Sequence, residues 1–281
     1  MILQARNLWW LGALGALALL PVVFTNPTVT TIAVYTLIFM ACTTSWNMFS
    51  GNSGYIALCA GVWYGTGAYT MALASIHWHM APGAGMFWLV PLGGLCATAA
   101  AVPIGWVALR VRRHTFVVMT IAIFFVAQLT AINAGFTGGT AGLFLPYISW
   151  EASYYNVPFY YVALGIVIVA TALAAVVRRS RFGLQLLAIR DDEDRALGLG
   201  VHVGAVKLTG FALSALPIGM AGALYAMFAG QIYPQFVFYP LFDLSVALMA
   251  FFGGLGTISG PLLGALVLES LQQYLTVTYS S

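Results

Sequence analysis

Charged side chains are too scarce in this chain to form a surface that faces water. Only 6% of its 281 residues are Asp, Glu, Lys or Arg, while 62% are hydrophobic, and the mean hydropathy is +0.94. Soluble domains carry about 25% charged residues. The sequence therefore predicts a chain whose solvent is the lipid bilayer. Its net charge of +3 is interpreted as a mark of membrane topology and not of nucleic-acid binding.

Apolar runs of about 17 to 25 residues can cross a bilayer as helices, and nine such runs occur. They cover residues 8–24, 30–49, 55–76, 87–109, 115–134, 157–177, 208–229, 241–258 and 262–277. Backbone groups that face lipid must be hydrogen-bonded within their own segment, and the alternation typical of a membrane barrel is missing. The sequence thus predicts an all-α, polytopic integral membrane protein with about nine transmembrane helices, folded as one transmembrane domain over residues 1–281. The first run is expected to be a retained helix, because no small-residue cleavage site follows it.

Charges concentrate between residues 178 and 207, which we call the charged segment. It contains six of the ten Lys and Arg residues and four of the seven Asp and Glu residues. If the N-terminus is cytoplasmic and the runs alternate, all ten basic residues fall on the cytoplasmic side, as the positive-inside rule requires. The charged segment is therefore predicted to be cytoplasmic. The last two runs follow Lys207 and contain no basic residue that would orient them.

The charged segment has the pattern of a short amphipathic helix. Leu184, Leu187 and Ala188 recur at helical spacing and are expected to face the membrane body. Asp191 precedes Arg195 by four residues, the favourable order for a helical ion pair, and Gly198 and Gly200 are expected to end the helix. From these residues alone, a solvated connecting loop and a docking place for a partner remain equally open.

Three glycine-rich breaks interrupt the apolar runs, at residues 50–54, 137–142 and 253–261. Irregular backbone at membrane depth requires cover by protein or by a watery cavity, and broken segments in both halves are typical of transporters with internal repeats. The residues predicted to line a translocation path or to break helices are Gly51, Asn52, Gly54, Thr137, Gly138, Gly139, Gly253, Gly254 and Gly256. The G-x-x-x-G spacing of Gly256, Gly260 and Gly264 is expected to pack helices within one subunit.

The stretch 180–226 resembles the permeases of branched-chain amino acid ABC transporters, of the LivM type. That family carries a similar R-A-I-R-D-D-E-x-A-A-x-x-L-G-I-N-V run ahead of a K-L-x-x-F-x-x-S-A helix. The matching residues here are Arg190, Asp191, Asp192, Glu193, Leu199, Gly200, Val203, Lys207, Phe211, Ser214 and Ala215. Residues 51–70, 137–143 and 253–265 are also similar to the family, whereas His202 stands where Asn is common.

The resemblance implies a permease subunit of an ABC importer for branched-chain or other hydrophobic amino acids, in a prokaryotic cytoplasmic (inner) membrane. It implies two ABC ATPase subunits, a homologous permease subunit and an extracytoplasmic substrate-binding protein as partners. The charged segment would dock on the ATPase. The residues expected to couple the two are Arg190, Asp191, Asp192, Glu193 and Arg195, with Gly198 and Gly200 after them. Urea, short amides and aromatic acids remain open as substrates.

No enzyme motif is found, and no metal site or cofactor is expected in this chain. A phosphate loop is absent because the only lysine, Lys207, lies between valine and leucine, so ATP and Mg²⁺ are expected in partner subunits. A gradient-driven carrier or channel is the alternative, although it would be expected to hold more ionisable groups in its helices. Of the two present, Asp243 is expected at an interfacial helix end. Glu269 is either a polar point in the translocation path or a neutral or paired group.

Overall fold

The computed structural model describes residues 21, 26–146, 150 and 155–279, which form a helical bundle. Its α-helices are α1 Pro27–Ser53, α2 Ala60–His77, α3 Leu89–Ala108, α4 Arg113–Asn133, α5 Asn156–Arg179, α6 Arg181–Asp191, α7 Glu193–Gly198, α8 Val203–Ala229, α9 Pro234–Val237, α10 Pro240–Gly253 and α11 Ser259–Tyr279. Short 3₁₀ helices cover Ala84–Trp88, Gly135–Thr137 and Gly139–Ala141. The one departure from the all-α prediction among these residues is a two-stranded antiparallel ribbon, in which β1 Leu143–Phe144 pairs with β2 Gln231–Ile232.

Six stretches of the described chain are long and apolar enough to span a membrane. They are Pro27–Ser53, Ala84–Ala108, Arg113–Asn133, Asn156–Arg179, Val203–Ala229 and Pro234–Gly253. The chain is therefore an integral membrane protein, as predicted, but the count of nine spans is not confirmed. Helices α2 and α11 correspond to predicted runs and fall outside this set of six. The predicted run 8–24 and the expected cytoplasmic N-terminus lie outside the described residues.

Helices α1 and α8 form the centre of the bundle. Helix α8 packs against α1, α2 and α3, while α1 also contacts α5 and α11. Glycines permit the closest of these approaches: a Cβ added at Gly67 of α2 would lie 1.9 Å from the carbonyl oxygen of Gly219 in α8. One added at Gly222 of α8 would lie 2.0 Å from the carbonyl oxygen of Tyr64. Without a driving force from water, such backbone contact is a main source of helix association in lipid.

The same device joins the last two helices. A Cβ added at Gly264 of α11 would lie 2.0 Å from the carbonyl oxygen of Met249 in α10, and one at Gly260 would lie 2.5 Å from that of Gly253. For Gly260 and Gly264 the prediction of packing within one subunit is confirmed.

The predicted helix over 55–76 is wrong in its first five residues. Helix α1 ends at Ser53, where Gly54 with a φ of 71° caps it, and α2 begins only at Ala60. The five residues from 55 to 59 are not helical, and side chains supply hydrogen bonds to their backbone instead. Ser50 Oγ accepts from the Ala57 amide at 3.2 Å, Thr120 Oγ1 accepts from the Leu58 amide at 3.1 Å, and Trp46 donates to the Ala57 carbonyl at 2.6 Å. Hydropathy could not reveal this break, because the residues remain apolar while neighbouring helices satisfy their backbone.

A substitution at Gly67 tests whether backbone contact holds the centre of the bundle. We expect Gly67→Ala to destabilise the protein by about 1 to 3 kcal/mol, because the new methyl group would force α2 away from α8. The matched control is Gly165→Ala in α5, where an added Cβ meets nothing within 4 Å. That change should be neutral or stabilise by up to about 1 kcal/mol. Thermal unfolding in detergent would measure both, and equal midpoints for the two variants would contradict the packing described.

Candidate functional site

The charged segment consists of two short helices and not the single one predicted. Ser180 caps α6 by accepting from the Gly183 amide at 3.2 Å. The carboxylate of Asp192 caps α7 and accepts from the amides of Asp194 and Arg195, each at 3.0 Å. An N-cap residue takes extended backbone, as Asp192 does with φ −155° and ψ 113°. Helix α6 therefore ends before Arg195, and the predicted pair of Asp191 with Arg195 along one helix does not form. Arg195 therefore pairs with Asp192 at 3.1 Å and not with Asp191. Helix α7 does end at Gly198, as predicted.

The apolar face of α6 also differs from the prediction. Leu186 and Ile189 are fully buried against the body, whereas Leu184 is 63% exposed. Leu197 and Leu199 of the α7 region are exposed as well, at 63% and 83%. The segment thus buries one apolar edge and leaves Leu184, Leu197 and Leu199 uncovered; we call these three residues the exposed leucines.

A buried ion pair joins α7 to the first turns of α8, at the end of the charged segment. Lys207 Nζ lies 2.8 Å from Glu193 Oε1 and 3.1 Å from the hydroxyl of Tyr55, which also hydrogen-bonds Glu193 Oε2. The side chain of Lys207 is 5% exposed and that of Glu193 is 27% exposed. The ammonium group also lies 4.5 Å from the centroid of the Tyr55 ring, a cation–π distance. Burial alone would raise the pKa of Glu193, but the hydrogen bonds from Lys207 and Tyr55, together with the positive charges of Lys207 and Arg113, outweigh it and the pKa is lowered. Glu193 therefore holds α7 onto α8 and onto Tyr55, in the non-helical residues before α2.

Two of the three glycine breaks meet at the charged segment. Arg190 Nη1 donates to the carbonyl of Gly51 at 2.8 Å, and a Cβ added at Gly256 would lie 2.9 Å from the same nitrogen. Arg178 donates to the Gly256 carbonyl. Asn47 bridges the two breaks, because its Oδ1 accepts from the Gly256 amide at 2.8 Å. We call this contact of Arg190, Arg178 and Asn47 with the two breaks the glycine junction.

Glycine is required within the junction for two physical reasons. Gly54 and Gly256 have φ values of 71° and 72°, a region that residues with a Cβ rarely adopt. In addition, a Cβ at Gly54 would lie 3.2 Å from Arg190 Cγ. Nearby, Gly253 packs on Gly260, Gly254 has a φ of 114°, and Asn52 is buried and donates to the Met48 carbonyl.

The third break lies at the other end of the bundle. Helix α4 begins beside the charged segment, where Arg113 donates to the carbonyls of Ile189 and Arg190. Its 21 residues then extend about 31 Å. Thr137 follows, buried, with its hydroxyl bonded to the carbonyls of Ala131 and Ala134 at 2.6 Å. Gly138 and Gly139 take φ values of 74° and 54°. This break lies at the far end of α4 and does not approach the other two breaks.

Several of these contacts were not anticipated from the sequence. Arg113 closes the C-terminal carbonyls of α6, and Tyr55 and Lys207 hold Glu193. The basic cluster at Arg112 and Arg113 was the available signal, although Arg112 makes only an exposed pair with Asp194 at 3.2 Å, a geometry that contributes little. Of the predicted coupling residues, Arg190 and Glu193 bind within the chain. Asp191, Arg195, Gly198 and Gly200 are exposed.

Asp243 is buried in the membrane body and not interfacial. It does lie in the first turn of α10, but ten residues of helix, about 15 Å, separate it from Gly253 and the junction. That is half the hydrocarbon thickness of about 30 Å. Its Oδ1 accepts from the Gly61 amide at the N-terminus of α2, at 3.0 Å, and its Oδ2 has no hydrogen-bond partner among the described residues. The carboxylate thus supplies the cap that α2 needs where it begins inside the body.

Glu269 is the second acidic residue at depth. It is fully buried, and its Oε1 accepts from Gln273 at 2.8 Å. Oε2 has no partner within the described part of the chain. In that part, no three His, Cys, Asp or Glu residues come close enough to hold a metal ion.

Comparison with known proteins gives consistent matches. Residues 28–281 match the family model described as "Branched-chain amino acid transport system / permease component". The chain is 29% identical over 266 residues to the "High-affinity branched-chain amino acid transport system permease protein LivM" of Salmonella typhimurium, and equally to that of Escherichia coli. Each alignment covers 84% of this chain and 61% of the relative, so the chain spans about three fifths of the length of these proteins. No solved structure matches it.

The buried pair predicts unequal effects for its two halves. Glu193→Gln leaves the buried Lys207 ammonium without its counter-charge. We expect a loss of about 1 to 3 kcal/mol, less than for a fully buried pair because Glu193 reaches solvent. Lys207→Met keeps the apolar volume and leaves Glu193 able to hydrate, so it should cost less than about 1 kcal/mol.

Thermal unfolding in detergent at pH 7.5 would measure both variants and their combination. The double variant should be more stable than Glu193→Gln alone, because it removes the unpaired ammonium. A greater loss from Lys207→Met than from Glu193→Gln would contradict the assignment.

Proposed function

Because this chain belongs to the family of branched-chain amino acid transport system permease components, we propose that it is the transmembrane permease subunit of an ABC importer for branched-chain or other hydrophobic amino acids. It forms the translocation path and works by ATP-driven alternating access. The observation that carries this proposal is the glycine junction, in which the charged segment holds two helix breaks of the membrane body by their backbone carbonyls.

The path of force follows from these contacts. An ATPase subunit binds the surface of α6 and α7 that presents the exposed leucines together with Asp191, Asp194 and Arg195. Apolar side chains ringed by charges are typical of interfaces that must separate and re-form. When the ATPases close, the segment moves with them. Arg190 then carries the movement to the end of α1, Arg178 to the turn between α10 and α11, and Glu193 to α8 through Lys207.

The breaks make this movement useful. Packed helices shift as rigid bodies, and the chain changes direction at Gly54 and around Gly256, beside the contacts that form the junction. A small displacement of α6 can therefore tilt α1 and α10, and α10 remains joined to the first turn of α2 through Asp243.

The partners of this subunit are two ABC ATPases, a homologous permease and an extracytoplasmic substrate-binding protein. ATP and Mg²⁺ are bound by the ATPases, and this chain is not an enzyme. The charged segment and the N-terminus face the cytoplasm of a prokaryotic cell, with the bundle in the inner membrane. The residues that couple to the ATPase are Asp191, Asp192, Arg195, Gly198 and Gly200, while Arg190 and Glu193 relay the movement inward.

Reconstitution tests the proposal. The chain would be co-expressed with ABC ATPases, a homologous permease and a substrate-binding protein from the same organism, and placed in proteoliposomes with labelled L-leucine. We expect uptake that requires both ATP and the binding protein. Uptake driven by an ion gradient without ATP would instead identify a carrier. Saturable uptake of urea, acetamide or benzoate in place of leucine would show that the substrate is not a hydrophobic amino acid.

Arg190→Ala tests the junction within that complex. Removing the guanidinium frees Gly51 from α6 while Asp191, Asp194, Arg195 and the exposed leucines are unchanged. We expect ATP hydrolysis and co-purification of the ATPases to persist while leucine uptake falls by about tenfold or more, the loss expected for a hydrogen bond from a charged group.

Arg181→Ala is the matched control, because Arg181 is an exposed arginine of the same helix. Its uptake should equal that of the unmodified complex. If Arg190→Ala also transports normally, Arg190 does not relay movement to α1.

A further inference from the structure

A cavity of about 440 Å³ opens on the side of the bundle, away from the junction and the buried ion pair. Helices α1, α2, α8, α9, α10 and α11 contribute its walls, and Phe236, Leu241 and Leu248 on its outer side are exposed. Its volume lies within the range of about 300 to 1,000 Å³ that is typical of small-molecule sites. It also borders the point where two helices begin at depth, since Tyr64 of α2 and Phe242 of α10 both line it.

One part of the lining is aromatic and polar. Tyr35, Tyr64 and Tyr225 stand together, with ring centroids 5.5 Å apart for Tyr64 and Tyr225 and 6.3 Å apart for Tyr35 and Tyr225. Gln272 and Gln273 complete this part. Tyrosine faces attract organic cations, and phenol and amide groups can hydrogen-bond an ammonium or a carboxylate.

The rest of the lining is aliphatic and aromatic apart from one serine. It consists of Phe39, Phe236, Val237, Tyr239, Leu241, Phe242, Leu244, Ser245 and Leu248. No lysine, arginine or histidine is among the described residues that line the cavity. The cavity therefore combines an apolar surface with a polar one that lacks any positive charge of its own.

Glu269 places a buried carboxyl group, with one oxygen that has no hydrogen-bond partner among the described residues, behind the polar part. It lies one helical turn before Gln273, which lines the cavity and donates to its carboxylate at 2.8 Å. The carboxylate is fully buried, its second oxygen has no partner, and none of the ion pairs among the described residues includes it. Acidic groups at membrane depth are costly and normally have a partner. A cationic ligand in the adjoining cavity would provide one.

We propose that this cavity is a subsite for the ammonium end of an aliphatic amine, with the ammonium toward Gln273 and Glu269 and the branched hydrocarbon among Phe39, Phe242 and Leu248. This inference rests on the proposed function and deepens it. Within an importer, the ligand would be an aliphatic amino acid, whose carboxylate can bind the tyrosine hydroxyls. Urea, amides and aromatic acids carry no ammonium group and would bind poorly.

Site-directed labelling tests the subsite. Ser245 lines the cavity, so Ser245→Cys would be introduced in a Cys96→Ala background; Cys42 and Cys59 are buried. The full chain in lipid nanodiscs would be treated with a small neutral maleimide in the presence of 3-methylbutylamine, L-leucine or 4-methylpentanoate. We expect the amine and leucine to slow labelling and 4-methylpentanoate, which lacks the ammonium, to leave the rate unchanged.

Glu269→Gln should then require about tenfold more amine for the same protection, because a neutral amide loses the charge-assisted contact. Thr276→Ala, on an exposed turn of the same helix, should protect normally. Equal protection by amine and acid, absence of protection by either, or an unchanged amine requirement in Glu269→Gln would overturn the proposal. The comparison of 3-methylbutylamine with 4-methylpentanoate is made in the protein that retains Glu269, so it tests the proposal even if the Glu269→Gln variant fails to fold.

The labelling outcome is separable from the proposed function. ATP-driven leucine uptake without amine protection would refute the subsite alone. Amine protection in a chain whose assembled complex shows no ATP-driven uptake would refute the importer and leave the subsite standing.

Discussion

The structure depends on one constraint: backbone N–H and C=O groups inside a bilayer must be paired within the protein. An unbroken helix meets it automatically, but this chain leaves the helical conformation between Gly54 and Ala60. The hydroxyl groups of Ser50 and Thr120 and the indole of Trp46 take over the pairing there. Asp243 then closes the first turn of α2 from a helix that is distant in sequence. The break is thus a fixed feature of the fold, since the amides of Ala57 and Leu58 and the carbonyl of Ala57 have specific partners outside the helical ladder.

A second layer of contacts connects this broken body to the edge where water begins. Arg190 and Arg178 donate to carbonyls at the two glycine breaks, and Glu193 is held by Lys207 and Tyr55. A buried ion pair is weak evidence for stability, but it can fix one register among several apolar alternatives. Here it positions two short helices on a surface that is otherwise apolar and would permit sliding. The glycines leave room for Arg190, because a Cβ at Gly54 or Gly256 would crowd its side chain.

The sequence predicted the class of the molecule, and the family resemblance that it carried is confirmed by the match over residues 28–281. Its errors concern local geometry. Leu184 was expected to face the body, but Leu186 and Ile189 do so, because the helix is set by caps at Ser180 and Asp192 and by the tether at Glu193. The predicted helix over 55–76 is too long because hydropathy measures the solubility of a segment in lipid and not the identity of its hydrogen-bond partners. Asp243 was placed at an interface because a charge near a helix end most often lies there, whereas this helix begins at depth.

By itself the sequence determined that the chain belongs in a lipid bilayer, where its charged segment and its glycine breaks lie along the chain, and which family it resembles. These are properties of composition and of neighbouring residues, which a single chain displays directly. Only the tertiary structure decided that two breaks meet at Arg190 while the third lies about 31 Å away along α4. It also decided that Glu193 faces Tyr55, and that Glu269 stands behind a cavity whose lining includes four tyrosines. The physical reason is sequence distance: Tyr55 and Glu193 are separated by 138 residues. Such pairs are chosen by how closely α1, α2 and α8 pack at their glycines, a property of the assembled bundle and not of any one segment.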